Sequence, residues 1–195
     1  WERESGTQVR TTESGLLVYV TLHGLVSNEP PRNKQVTLVV LNEGEPLEKL
    51  PDWAAPFVSN QEPHAILAPR GVGPTAWTRQ RANYVERAHV LVGRTVDQGR
   101  VWDVAAVARP LNGEGPVKVI GRGQAGILGA YAALWEPSIK EAIVVDPPTS
   151  HATGPIFMNV LRVLDIPEAL GLLAPRRLTL VNASHAAFDR TQEIY

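Results

Sequence analysis

The residues richest in chemical content are Val117-Lys118-Val119-Ile120-Gly121-Arg122-Gly123-Gln124-Ala125-Gly126. An apolar run meets three glycines and then opens into a helix-forming stretch from Ala125 to Trp135. Two chemistries use such a segment. As G-x-G-x-x-G between strand and helix, Gly121, Gly123 and Gly126 would let a pyrophosphate approach the helix N-terminus. Asp146, 20 residues past Gly126, would then hold a ribose hydroxyl. As a strand–turn–helix elbow, the same residues would present one strained position at the turn. The usual form is G-x-S-x-G, with a nucleophilic serine in the middle. Here that place is taken by Gly123, which tolerates the strained backbone and supplies no oxygen. Topology separates the two readings. A dinucleotide fingerprint normally sits on the first strand of its fold, whereas three strands are expected before this one and two after it. The elbow is therefore the leading reading and the dinucleotide or anion site the alternative.

Further candidates follow the same edge. Asp146-Pro147-Pro148-Thr149-Ser150-His151 gathers an acid, two hydroxyls and a histidine just past a strand, where open α/β sheets bind ligands. The plainer reading is a strand-ending loop with Asp146 bonded to local groups. Ser150 beside His151 is a weak candidate for a relocated nucleophile, since neighbours in a loop rarely face each other. Arg70 and Arg122 are expected at the same edge, where they could grip a carboxylate or phosphate. The plainer reading makes them local ion-pair partners, Arg122 with Asp146 for instance. The small-molecule ligand itself is not specified. His23, His64, His89 and His185 show no metal-ligand spacing, and no metal or cofactor is expected. Trp77, Trp102 and Trp135 fall in helical patterns and are expected in the core, while Trp53 could line a surface groove.

The elements that must position these residues alternate between strand and helix. Strands are expected at 16–22, 36–41, 64–68, 117–120, 141–146 and 178–181. The run Val36 to Leu41 is continuously apolar, as in a strand buried on both faces of a parallel sheet. Residues 76–109 read as helical with a break between Gly93 and Gly99. Residues 155–173 read as two helical pieces divided at Pro167, and a last helix begins at Phe188. Residues 1–14 are polar and read as a lead-in. The expected division is 1–34, lead-in and first strand, followed by a core over 35–195. Alternating strands and helices imply crossover connections and a mainly parallel sheet.

Bulk composition narrows the function classes. The 195 residues carry 19 Lys+Arg and 20 Asp+Glu, a net charge of −1, so no basic face for nucleic acid is expected. Hydrophobic residues make up 44%, enough for a sizeable core. Cysteine is absent, which excludes disulfides, thiolate catalysis and zinc–thiolate sites and leaves the compartment undecided. No apolar stretch is long enough to span a membrane as a helix, so membrane insertion is not expected. The chain starts at Trp1 and stops within a helical pattern at Tyr195, so it reads as a piece of a longer polypeptide.

Three segments carry a family resemblance. Gly121 to Leu134 (GRGQAGILGAYAAL) resembles the elbow and following helix of α/β hydrolases, in the prolyl-oligopeptidase-like and acetyl-xylan-esterase-like groups. Ala65 to Gly73 (AILAPRGVG) is similar to their strand ending in a P-R-G-x-G loop, near the oxyanion hole in active members. Asn83 to Pro110 is similar to their helical segment before the elbow. The resemblance implies a three-layer α/β sandwich of α/β-hydrolase type, lacking its terminal strand and histidine loop. It places the nucleophile at Gly123 and the acid at His185, with Asp189 inside the next helix as a substitute. Both positions are degenerate, and the general-base histidine would fall beyond Tyr195. A non-catalytic hydrolase-like domain supporting a neighbour on the same chain is the expected function. The alternatives are an esterase or peptidase completed elsewhere, with Ser150 and Ser184 the nearby hydroxyls, and the dinucleotide or anion site.

Overall fold

The computed structural model describes residues 6–13, 15–24, 34–59, 62–77, 79–113, 115–184 and 186–195. Among these residues seven strands form one sheet: β1 (Gly6–Glu13), β2 (Leu16–His23), β3 (Val36–Val40), β4 (His64–Ala68), β5 (Val117–Arg122), β6 (Ile139–Val145) and β7 (Arg177–Val181). Among the described residues five α-helices accompany them: α1 (Arg79–Leu91), α2 (Val96–Leu111), α3 (Gly123–Trp135), α4 (Ile166–Gly171) and α5 (Asp189–Ile194). The spatial order is β1-β2-β4-β3-β5-β6-β7. β1 and β2, and β2 and β4, pair antiparallel, while every pairing from β4 through β7 is parallel.

The sheet is buried because its central strands are apolar on both faces. Side chains alternate along a strand, so β3 splits its residues between two cores. Leu38 and Val40 join Val104, Ala108 and Ile127 from α2 and α3. Val39 and Leu41 point the other way, to Ile120, Ile143, Leu47, Ala54 and Val58. Helices thus cover one face, and the segment 42–59 covers the other with only a short 3₁₀ turn at Ala55–Phe57. Pro46, Pro51 and Pro56 deny that segment a longer helix.

Three expectations change. Residues 6–13 form an edge strand rather than only a lead-in, because the backbone of β1 pairs with β2 from Gly6 opposite Leu22 to Glu13 opposite Leu16. Its polar composition hid it, since an edge strand needs no apolar run. Pro167 does not divide two helices. It sits in the first turn of α4, where a missing N–H costs nothing, behind a capping box made by Asp165 and Glu168. Trp135 is not core: it ends α3 with 54% of its surface exposed. Trp77 lies outside the helices and Trp102 is half-buried in α2.

One buried ion pair ties the loop after β4 to α2. Arg70 donates from Nε to Asp103 Oδ2 at 2.8 Å and from Nη2 to Oδ1 at 2.7 Å, and its backbone N–H reaches Oδ2 at 3.0 Å. Both side chains are almost wholly buried. Burial opposes the charge on Arg70, but the pairing with Asp103 outweighs it and raises the arginine's pKa. Gly99 leaves room for the guanidinium against α2. Removing one partner of such a pair strands the other charge in the interior. Asp103→Ala is therefore expected to lose about 3–5 kcal/mol, read as a lower urea midpoint at unchanged slope. A loss under about 1 kcal/mol, the size of a surface pair, would contradict the anchoring role.

Candidate functional site

The strand order reverses at β3: the chain moves from β3 outward to β4, then returns across β3 to β5. The crevice beyond the carboxyl ends of β3 and β5 is thus the topological switch point, where open α/β sheets bind ligands. The β5–α3 turn stands at this point.

The turn's shape follows from close contact. A Cβ on Gly121 would lie 2.5 Å from Gly126 N, and one on Gly126 would lie 2.5 Å from Gly121 O. Strand and helix therefore meet backbone to backbone. Further along, a Cβ on Gly129 would come within 2.9 Å of Val119 Cγ2, so the approach persists along the helix. At Gly123 the backbone turns left-handed, with φ +55°. A Cβ there would meet nothing within 4 Å. A side chain at 123 would stand in open space, and none is present.

Four strand ends are linked by side chains around this turn. Asn42, after β3, donates from Nδ2 to the Arg122 carbonyl at 2.9 Å and accepts from Ala125 N–H at 3.2 Å. It thereby caps α3, which has no side-chain cap from Arg122. Arg122 Nε donates to Asp146 Oδ2 at 2.6 Å, and Asn182 Nδ2, after β7, donates to Asp146 Oδ1 at 2.8 Å. Asp146 and Asn182 both adopt φ > 0, at +48° and +59°, which Asp and Asn accept more readily than most residues. The bonds from Asn182 and Arg122 hold the Asp146 carboxyl below its ordinary pKa. Such a carboxylate stays ionised near neutral pH and is a poor general base, whose pKa should lie near the working pH.

Other expected site residues are placed differently. Arg70 is not at the edge to grip a ligand, because Asp103 occupies its guanidinium in the interior. Arg122 does reach the edge, paired with Asp146 and about half exposed. Ser150 and His151 do not face each other. His151 is buried, with Nδ1 2.7 Å from the Pro155 carbonyl and Nε2 2.6 Å from the Tyr131 hydroxyl. A carbonyl can only accept, so Nδ1 carries the proton and Nε2 accepts from Tyr131. Burial, with a smaller effect from Asp165, raises the Tyr131 pKa and keeps that proton in place. Ser150 Oγ accepts from Ala152 N–H at 3.1 Å. Burial works to raise the Asp165 pKa, yet bonds from Ser150 and from the backbone of His151 and Ile166 hold it down. This group packs the loop onto α3. Ser184 is exposed past β7, Asp189 opens α5, and His185 lies outside the described residues.

The groups that the dinucleotide alternative would use already have partners within the chain. Gly121 and Gly126 are accounted for by strand–helix contact, Ala125 N–H is taken by Asn42, and both Asp146 oxygens are engaged. Among the described residues no group of three His, Cys, Asp or Glu could hold a metal, and no helix is long and apolar enough to cross a membrane. A cleft of about 630 Å³ reaches the turn through Gln124, between α1, the start of α2 and Ile156. Asn42 and Asn182 were not foreseen as site residues. Each directly follows an apolar strand run, a positional signal, but nothing local announces its partner.

No family model matches the sequence, and no curated protein matches it either. Solved structures do match in shape. A Bacteroides fragilis protein assigned as an acetyl xylan esterase aligns over 100% of this chain and 64% of its own, at 14% identity and TM-score 0.67. Porphyromonas gingivalis dipeptidyl peptidase 4 aligns over 96% of this chain and 29% of its own, at 13% identity and TM-score 0.65. Pyrococcus horikoshii acylaminoacyl peptidase aligns over 98% and 35%, at 11% identity and TM-score 0.65. The chain therefore spans less than two thirds of each of these proteins.

The turn's geometry separates two glycines that look alike in sequence. Gly121→Ala drives a methyl into backbone and is expected to cost about 3 kcal/mol or more. Gly123→Ala meets open space and carries only a left-handed backbone penalty of about 1–2 kcal/mol. Denaturation of the two variants checks this, and equal losses would contradict the described turn. The mixed, mostly parallel sheet, its helices and these structural neighbours together make the fold one of α/β-hydrolase type.

Proposed function

We propose that this is a non-catalytic domain of the α/β-hydrolase fold that supports or regulates an esterase or peptidase neighbour on the same polypeptide. The observation behind it is Gly123. The elbow keeps its left-handed turn and the open space above it, and the residue there has no side chain. On this reading Gly123 stands where hydrolases of this fold carry their nucleophilic serine. Acyl transfer by that route needs an activated nucleophile, a base within reach and a group orienting the base. Gly123 brings no nucleophile. His151 is held by two bonds in the interior, and Asp146 is committed to Arg122 and Asn182. The choice of neighbour follows the structural relatives, which are described as an esterase and peptidases.

The first test is an acyl-ester assay on the wild-type chain and on Gly123→Ser. Neither is expected to exceed the uncatalysed rate, because His151 and Asp146, the described candidates for a base at this edge, are held by other partners. Turnover by the wild type that is lost on Ser150→Ala or Ser184→Ala would overturn the proposal. The supporting role is read in the full-length polypeptide, where excising this domain should lower the neighbour's activity or stability. A neighbour unchanged in both would sink that part.

A further inference from the structure

A cleft of about 830 Å³ lies away from the elbow, between the β1–β2 turn, the α1–α2 corner and α2. No residue of the β5–α3 turn lines it. Its volume is in the range of small-molecule sites, about 300–1,000 Å³. We propose that it binds a neutral saccharide.

The aromatic wall is the first argument. Trp135 has 54% of its surface exposed, which leaves a large apolar ring in water. The Trp102 ring lies 5.7 Å from it at an interplanar angle of 45°, so the two indoles form an angled platform. Sugar rings present flat faces of C–H groups that bury well against indole and edges of hydroxyls that need polar partners. The lining supplies those partners in Glu13, His89, Arg94 and Gln98. Gln98 Oε1 already accepts Thr95 N–H at 2.8 Å, which fixes the amide so that its NH₂ serves as the donor.

Charge selects among ligands that stack. Arg70 is paired with Asp103, and Glu13 lies 3.5 Å from Arg70 and 3.6 Å from Arg94. The two cations are offset by two carboxylates within the protein. A phosphate or carboxylate ligand would have to compete with Glu13, whereas an uncharged polyol would meet a balanced set of donors and acceptors. This inference does not rest on the elbow being inactive.

The test titrates the whole chain with xylohexaose and with cellohexaose, followed by tryptophan fluorescence and calorimetry, with oligogalacturonate and AMP as charged comparators. Saturable binding of a neutral oligosaccharide is expected. It should weaken about tenfold or more in Trp135→Ala, equivalent to about 1.4 kcal/mol, with the variant still folding cooperatively because more than half of that residue's surface is exposed. Arg94→Ala should weaken it less, and Gly123→Ser should leave it unchanged. No saturable binding of either oligosaccharide would overturn the proposal. So would binding indifferent to Trp135→Ala, or a preference for oligogalacturonate or AMP.

Discussion

The backbone contact between β5 and α3 governs the rest of this structure. Gly121 and Gly126 meet with no room for a side chain on either, and Gly129 extends the approach along Val119. A helix held that close to its strand must leave it through a tight turn. The turn falls at Gly123, which takes the left-handed conformation. From that one constraint follow the direction of α3, the position of its N-terminus at the switch point, and the need for Asn42 to cap it from β3. The interaction is steric rather than attractive. It fixes geometry by excluding alternatives, and does so independently of any chemistry performed at the turn.

Around this turn the polar groups are bound to one another. Asn42, Arg122, Asp146 and Asn182 link the ends of β3, β5, β6 and β7. Satisfied hydrogen bonds of this kind hold an edge in one arrangement and leave few groups poised to move protons. The buried histidine behaves likewise: His151 joins Tyr131 and Phe157 in an aromatic cluster that seats the loop after β6. The turn thus combines a left-handed backbone at the switch point with side chains committed to structure.

The sequence revealed what depends on local pattern. The continuous apolar run at Val36 to Leu41 and the strand–glycine–helix passage at 117–135 are strong signals because they need no partner to be recognised. The Arg122–Asp146 pair was legible as the plainer of two readings, since both residues end adjacent parallel strands. What was hidden depends on distant partners. β1 is polar and owes its existence to pairing with β2. Arg70 looked like an edge residue because its motif lies in a loop, and only Asp103 on α2, 33 residues away, draws it inward. Trp135 has the helical spacing of a core residue, but the helix ends there and more than half of its surface is exposed.

On the proposed reading, the β5–α3 elbow holds its left-handed turn at Gly123 without a nucleophile. The most direct test exposes the wild-type chain to a serine-directed fluorophosphonate and maps covalent adducts by mass spectrometry. The account predicts no adduct on any residue of the chain. A stoichiometric adduct on Ser150 or Ser184 would show an activated hydroxyl and would contradict it.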